Sequence, residues 1–220
     1  MTGIAVIFDM DGVIIDNISY HIDALNIFCK KYNCTYTDEE FKTYLSGKTV
    51  KEVMKFVFRK NLSKEDLIKY SDEKEELYRD LYKPHLKPTT GLLNLLSRLK
   101  DENIKTAVAT AGPSANVNFV LEGLKIAKYF NAVINGDMVT NGKPHPEIYL
   151  KAAKAIDMQP QQCIVIEDSL SGILSGKNAG MKVIGITTVH KKEELYQADY
   201  IINNFNELNL EVLNKIITCK

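Results

Sequence analysis

The chain has 220 residues, enough for one domain or for one domain that carries a smaller insert. Its composition, 45% hydrophobic and 25% charged, is typical of a soluble globular protein. Basic and acidic residues both number 28, so the formal charge is zero and the composition argues against a nucleic-acid partner.

The sequence has no pattern of a membrane or secreted protein. No stretch approaches the roughly 20 apolar residues that a membrane helix needs, and two acids interrupt the short apolar run near the N-terminus, unlike in a signal peptide. The cysteines are too scattered for a disulfide framework. They are Cys29, Cys34, Cys163 and Cys219. We therefore expect free thiols, a cytoplasmic location and no membrane partner.

The first predicted element is a strand that carries acids at its end. Ile4–Phe8 is a run of apolar residues, which predicts a strand buried on both faces. Asp9 and Asp11 follow it, and then Gly12. Open α/β sheets bind ligands at the carboxyl ends of their strands, so the two acids are candidate functional groups. The alternative is an Asp-Gly turn without a chemical role.

Residues 16–83 form a polar, helical stretch without a convincing strand. Helical periodicity appears in residues 21–32 and again in residues 50–58, where the apolar positions recur at i, i+3, i+4, i+7 and i+8. Ser63 begins another helix with a capping pattern. The dense charge of Asp72–Glu76 predicts a solvated helix face. The stretch as a whole predicts a small helical module inserted after the first strand.

From Gly91 onward, strands and helices alternate. This rhythm indicates parallel strands that are joined by right-handed helical crossovers. The predicted strands cover residues 104–110, 132–134, 163–166, 183–186 and, more weakly, 200–202. The predicted helices are centred on residues 92–99, 117–124, 146–156 and 170–179.

Polar residues come after several of these strands and share one chemical theme. Besides the two acids of the first strand, they are Thr110 with Ala111 and Gly112, then Lys143, and then Glu167 with Asp168. The carboxyl ends of parallel strands meet at one edge of a sheet, so these groups should converge there. Acids that gather at one point repel one another unless a cation lies among them. Oxygen ligands with few nitrogens favour Mg²⁺.

Together these residues resemble the motifs of the haloacid dehalogenase superfamily. The matching segments are Asp9-x-Asp11-Gly12-Val13, Thr110, Gly142-Lys143-Pro144 and Glu167-Asp168. The resemblance covers essentially the whole chain and is greatest to the phosphatase and β-phosphoglucomutase-like branch. It implies an α/β fold with a doubly wound (Rossmann-like) parallel sheet. Residues 1–15 and 84–220 would form this catalytic core, and residues 16–83 an inserted α-helical cap.

The resemblance also implies catalytic roles. Asp9 would be the nucleophile that attacks phosphorus and becomes an aspartyl-phosphate. Asp11 would protonate the leaving oxygen and then activate water. Dehalogenases lack this second acid, so the pattern argues against that activity. Thr110, with the backbone N–H groups of Ala111 and Gly112, would hold the phosphoryl oxygens, and Lys143 would neutralise charge.

The metal ligands are implied in the same way. Asp168, the Asp9 carboxylate and the backbone carbonyl of Asp11 would bind Mg²⁺, the expected cofactor. Glu167 would ligate the metal or order its waters.

Three residues of the predicted cap are candidates for contact with the substrate. His21 stands at the spacing where β-phosphoglucomutases carry a hinge histidine that supports the acid/base aspartate. Gly47 and Lys48 lie in a segment that resembles the substrate-facing cap loop of sugar-phosphate enzymes.

The same loop departs from the mutase pattern. Mutases place a lysine just before the glycine and an arginine three residues after it, where they bind a second phosphate. This chain has Ser46 and Val50 at those positions. Lys48 or Lys51 is a possible substitute, although neither occupies the matching place.

We therefore expect a Mg²⁺-dependent phosphatase that acts as a monomer on a small, sugar-like phosphomonoester. The main alternative is β-phosphoglucomutase, an isomerase with the same intermediate, and phosphoglycolate is an alternative substrate. A phospho-accepting receiver domain fits less well, because a receiver carries its aspartate on the middle strand and has no helical insert. A binding protein without catalytic activity fits least, since no catalytic position is missing.

Overall fold

The computed structural model describes residues 3–218, apart from the side chain of Lys42. Its centre is a six-stranded, all-parallel sheet with the order β3-β2-β1-β4-β5-β6. The strands are β1 (Ala5–Phe8), β2 (Lys105–Ala109), β3 (Ala132–Ile134), β4 (Cys163–Glu167), β5 (Lys182–Ile186) and β6 (Tyr200–Ile202). This confirms the α/β, doubly wound fold that the sequence predicted.

The helices fall into two groups along the chain. Those between β1 and β2 are α1 (Ile18–Tyr32), α2 (Asp38–Glu40, continued by a wider π-helical turn over Phe41–Leu45), α3 (Val50–Phe58), α4 (Lys64–Tyr82) and α5 (Leu92–Asp101). Those after β2 are α6 (Ser114–Gly123), α7 (Glu147–Ala155), α8 (Leu170–Asn178) and α9 (Leu210–Thr218).

Strand β1 lies inside the sheet between β2 and β4. Its Phe8 is in register with Val108 of β2 and with Ile166 of β4. The residues directly after these three strands are therefore neighbours at the same edge of the sheet. The backbone N–H of Asp9 continues the ladder by donating to the carbonyl of Ile166 at 3.0 Å. The sheet register thus brings the first motif close to the last.

Both faces of the sheet are buried, as its strand sequences require. Val6 and Phe8 belong to the apolar cluster on one face, and Ala5 and Ile7 to the cluster on the other. All four side chains are fully buried. Burial on both faces explains why β1 is a continuous apolar run, and it makes the end of β1 a fixed platform for Asp9.

Helices α1 to α4 pack around a separate small core. Its buried members include Leu25, Phe28, Met54 and Val57. Tyr78, near the end of α4, belongs instead to the cluster on the sheet, so α4 connects the two regions. We propose that residues 16–83 act as a cap over the sheet edge, and "cap" below means these residues.

Most sequence-predicted elements agree with the structure to within one or two residues, including the start of α4 after Ser63, whose side chain caps the helix. The prediction for Asp72–Glu76 is wrong at two positions. Lys74 and Glu75 are only 5% and 4% exposed, because this turn of α4 faces the sheet edge rather than solvent.

Three cysteines, Cys29, Cys34 and Cys163, are free thiols. The prediction for Cys219 lies outside the described residues. No helix in residues 3–218 has the length and apolar character needed to cross a bilayer.

Candidate active site

A cavity of about 90 Å³ lies between the cap and the carboxyl edge of the sheet. Ten of the residues predicted for the site line it: Asp9, Asp11, His21, Gly47, Lys48, Thr110, Ala111, Gly112, Lys143 and Asp168. The remaining predicted residue, Glu167, lies behind them and is fully buried. Residues that are up to 159 positions apart in the sequence therefore meet in one place.

Lys143 lies between two carboxylates at the floor of the cavity. Its ammonium donates to Asp9 Oδ1 at 2.8 Å and to Glu167 Oε1 at 2.6 Å. Burial by itself lowers the pKa of a lysine, but the charges of Asp9 and Glu167 outweigh burial and raise the pKa of Lys143. Lys143 is therefore a permanent cation beside the predicted nucleophile.

The Glu167 carboxylate is saturated with hydrogen bonds. Besides Lys143, the Tyr149 hydroxyl donates to Oε1 at 2.7 Å. The backbone N–H groups of Asp168 and Ser169 and the Ser169 hydroxyl donate to Oε2, each at 3.0 Å. Burial raises the pKa of Glu167, but Lys143 and these donors outweigh it, so the pKa is lowered. Glu167 is thus a fixed anion that orients Lys143.

Carboxylate oxygens of Asp9, Glu167 and Asp168 lie within 4.8 Å of one another. When all three acids are ionised, the Lys143 ammonium offsets one negative charge and two remain. Burial, together with the neighbouring acids, raises the pKa of Asp9 to about 8 and that of Asp168 well above its ordinary value. The donor set and its charge fit a divalent cation.

Gly12 allows this cluster to form. Its φ of +76° lies in the left-handed region, which side chains rarely adopt. A Cβ at this position would also collide with the Asp168 carboxylate. The glycine therefore lets the loop after β1 approach Asp168 closely.

Asp11 lies on the cap side of the cavity, with a fixed carboxylate. Its Oδ1 accepts from Asn17 Nδ2 at 2.6 Å and lies 3.4 Å from His21 Nε2. Its Oδ2 lies towards Gly112, on the other side of the cavity. Burial raises the pKa of Asp11, but the hydrogen bonds from His21 and Asn17 and the charge of Lys74 outweigh it and the pKa is lowered. These neighbours favour the ionised, basic form of Asp11 in this structure.

The orientation of His21 is set by α4. The Lys74 ammonium lies 2.7 Å from His21 Nδ1, and the imidazole ring stacks on Tyr78 with ring centroids 3.6 Å apart. Because an ammonium is only a donor, Nδ1 acts as the acceptor, which leaves the proton on Nε2. His21 consequently donates to Asp11.

Thr110 is 1% exposed at the end of β2. Its Oγ1 accepts from the backbone N–H of Gly112 at 3.0 Å. A hydroxyl can accept and donate at the same time, so the Thr110 proton is available for a ligand oxygen in the cavity.

The cap loop closes the cavity from above. Gly47, with φ +74°, lies so close to Ser171 Oγ that a Cβ would come within 2.5 Å of it. Ser171 donates to the carbonyl of Ser46 at 3.1 Å. Lys48 donates to the backbone carbonyl of Lys143 at 2.5 Å, so this cap residue bonds the core loop directly.

Several residues of the site were not identified from the sequence. They are Asn17, Lys74, Glu75, Tyr78, Asn116 and Tyr149. Most of their partners lie tens of residues away, so no local pattern marks them. The one sequence feature that could have pointed to Lys74 and Glu75 is the run of charged residues in α4, because charged positions there lie among apolar ones.

Comparisons with known proteins agree with this geometry. The family model of the haloacid dehalogenase-like hydrolases matches residues 6–186. The chain belongs to this family. The resemblance inferred from the motifs is therefore confirmed, and the protein is an enzyme of the phosphoric monoester hydrolase type.

Similar proteins in this family include a phosphatase and a mutase. A phosphorylated carbohydrates phosphatase of Thermotoga maritima is 30% identical, over 97% of this chain and 99% of that protein. A beta-phosphoglucomutase of Bacillus subtilis is 31% identical, over 96% and 94%. The crystal structure of a HAD hydrolase, family IA, variant 3, from Entamoeba histolytica superposes with a TM-score of 0.88 at 34% identity, covering 98% of this chain and all of that one.

Proposed function

We propose that this enzyme is a Mg²⁺-dependent phosphatase that hydrolyses a small sugar phosphomonoester through an aspartyl-phosphate. The observation that carries the proposal is the placement of two carboxylates in one closed cavity. Asp9 is paired with the Lys143 ammonium on the floor, and Asp11 is fixed by Asn17 and His21 on the cap side. Such a pair supplies one nucleophile and one acid/base from opposite sides of a bound phosphoryl group.

Asp9, Asp168 and the backbone carbonyl of Asp11 are the proposed holders of Mg²⁺. Glu167 completes the acidic cluster, but its hydrogen bonds to Lys143, Tyr149 and the backbone favour an orienting role. When bound, Mg²⁺ supplies positive charge beside the nucleophile and the phosphoryl oxygens.

In the first step, an Asp9 oxygen forms a bond to phosphorus while the bond from phosphorus to the leaving oxygen breaks. Asp11 carries the proton that it took from water in the second step of the preceding turnover, and it gives this proton to the leaving oxygen, so the product leaves as a neutral alcohol. Lys143 and the Thr110 hydroxyl stabilise the equatorial oxygens. In the second step, Asp11 removes a proton from water, the water oxygen bonds to phosphorus, and inorganic phosphate leaves Asp9.

The cap loop favours hydrolysis over isomerisation. A mutase has to retain a bisphosphate while that molecule reorients, which requires cations that hold the second phosphate. Ser46 and Val50 occupy those positions. Lys48 is bonded to the carbonyl of Lys143, and Lys51 pairs loosely with Asp137 at 3.7 Å. Charge-assisted anchors for a second phosphate are hard to replace with neutral groups.

β-Phosphoglucomutase is the second candidate, because His21 contacts Asp11 as the hinge histidine of mutases is expected to do. The similarity to the Bacillus subtilis enzyme supports it as well.

The deciding experiment measures two products side by side. Phosphate release is measured with Mg²⁺ and with EDTA on a panel of hexose, pentose, polyol and small-acid phosphates. A coupled assay monitors the conversion of β-glucose 1-phosphate to glucose 6-phosphate, primed with the bisphosphate. We expect Mg²⁺-dependent release without isomerisation. Isomerisation with little release would establish the mutase, and no turnover in either assay would contradict both candidates.

A further inference from the structure

Two buried, oppositely charged side chains of α4 face the cavity without a part in the proposed reaction steps. Lys74 and Glu75 are 5% and 4% exposed, and both line the cavity. Buried charges are costly unless they are paired and hydrogen-bonded. If the phosphoryl group binds at the sheet edge as proposed, their position on the cap side would place them beside the leaving group.

Glu75 is fixed by contacts to three elements. Its Oε1 accepts from Lys74 Nζ at 2.9 Å, and its Oε2 accepts from Asn116 Nδ2 of α6 at 2.6 Å. Its Oε2 also lies 3.9 Å from His21 Nδ1. Arg79 donates to Asn116 Oδ1 at 2.8 Å, which orients that amide towards Glu75. Burial raises the pKa of Glu75, but Lys74 and His21 outweigh it and the pKa is lowered, so the side chain remains a carboxylate.

The lysines that line the cavity show how Glu75 alters its charge. Among the described residues that line it, the lysines are Lys48, Lys74 and Lys143. Lys143 lies between Asp9 and Glu167, and Lys48 bonds the carbonyl of Lys143 on the core loop. Lys74 is the lysine on the α4 wall of the cavity, where it contacts His21 and Glu75, and the Glu75 carboxylate neutralises its charge.

We propose that Glu75 is a specificity-determining residue that selects substrates with an uncharged, hydroxyl-bearing leaving group. It disfavours leaving groups that carry a carboxylate or a second phosphate, because such an anion would meet the Glu75 carboxylate in a site of low dielectric. Hydroxyls can donate to Glu75 and accept from the Asn116 amide. This inference rests on the proposed phosphatase function.

The test compares Glu75→Gln with wild type and with Glu76→Gln, a matched change at the exposed neighbour. The measured quantity is kcat/KM for Mg²⁺-dependent phosphate release. The substrates are glucose 6-phosphate as the neutral case, and 2-phosphoglycolate and fructose 1,6-bisphosphate as the anionic cases. We expect Glu75→Gln to lower the neutral-to-anionic ratio about tenfold, since Lys74 becomes an unbalanced cation. Glu76→Gln should leave the ratio unchanged.

Failure of this inference is distinct from failure of the proposed function. If wild type releases no phosphate from any member of the larger panel, the proposed function is wrong. If wild type is active but prefers the anionic substrates, or if Glu75→Gln keeps the wild-type ratio, only the role of Glu75 is overturned. If Glu75→Gln does not fold, the same ratio of neutral to anionic substrates is measured for Lys74→Gln. This variant retains Glu75 without its counter-charge and should shift the ratio in the opposite direction, even if kcat falls for every substrate.

Discussion

The two walls of the cavity differ in how they are built. The core half, consisting of Asp9, Lys143, Glu167 and Asp168, comes from strand ends and the loops after them. Lys143 contacts Asp9 at 2.8 Å and Glu167 at 2.6 Å. The cap half, consisting of His21, Lys48, Lys74 and Glu75, comes from helix faces and one loop. Its contacts reach across elements, to Asp11, to Asn116 and to a backbone carbonyl.

On the proposed function, the core half contains the residues that act in the reaction, and the cap half contains residues that influence which substrate is used. Sheet register places Asp9, Glu167 and Asp168 of the core half, so we expect their geometry to depend little on the cap. The cap half has this geometry only while the cap is docked on the sheet edge. Changes in the core half should therefore abolish turnover of every substrate, whereas changes in the cap half should alter rates or preferences.

The largest effect is expected in the core half, for Asp9→Asn. An amide is a poor nucleophile, so kcat should fall by at least about 10⁴-fold on every substrate. Removal of a buried carboxylate with a raised pKa should not reduce the free energy of unfolding. Steady-state phosphate release and thermal melting measure the two effects. Asp101→Asn, at an exposed position, is the control. Near wild-type activity in Asp9→Asn would reject the nucleophile assignment.

Lys143→Met should have the next largest effect, because it leaves the Glu167 carboxylate buried without its cation. Loss of one partner of a buried ion pair costs about 3–5 kcal/mol of unfolding free energy, and kcat should fall by about 10³-fold. Urea unfolding measures the change in unfolding free energy, and steady-state phosphate release measures the change in kcat. Lys151→Met removes an exposed lysine that pairs with Glu147 and should change neither markedly. A stable, active Lys143→Met variant would show that the core half does not depend on this charge.

Metal binding should depend on pH through the core half. The pKa of Asp9 in the metal-free protein is raised to about 8, so the native state holds a proton that the unfolded state loses near pH 4. The free energy of unfolding of the metal-free protein should therefore fall as the pH rises through this window. Mg²⁺ binds the ionised form, so its stabilising effect should be larger at pH 8 than at pH 6. Melting temperatures with EDTA and with Mg²⁺ at both pH values test this. An equal Mg²⁺ effect at pH 6 and pH 8 would contradict it.

The smallest effect is expected in the cap half, for Lys48→Met. This change removes the bond from the cap loop to the carbonyl of Lys143. Closure should become less favourable, which should raise KM about three- to fivefold with little change in kcat. Lys51→Met, which removes an exposed and looser pair with Asp137, is the matched control. A large fall in kcat in Lys48→Met would place Lys48 among the residues that act in the chemical steps.

The sequence predicted where the strand-end members of the core half lie, because that placement follows from local patterns. Each of Asp9, Thr110, Glu167 and Asp168 ends an apolar strand or comes directly after one, and parallel strands bring such positions to one edge. The alternation of strands and helices predicted that the strands run parallel, and with it the α/β fold and the strands of the sheet. The final helix, Leu210–Thr218, was not predicted, although its apolar positions have helical spacing.

The cap half was less accessible to sequence reasoning. His21 was identified through the resemblance, but Lys74 and Glu75 were assigned to a solvated face. Helical periodicity indicates which residues share a face, not whether another element covers that face. Lys74 meets His21 across 53 residues of sequence, and Glu75 meets Asn116 across 41.

The sequence alone therefore determined the fold class, the family and the positions of the strand-end polar residues, because apolar runs specify the strands and each strand places the polar residues at its carboxyl end. The tertiary structure decided which charges are buried, which nitrogen of His21 faces Asp11, and how Glu75 balances Lys74. Those properties arise only when the cap helices meet the sheet edge, since the pairing of a buried charge depends on neighbours that are distant in the chain.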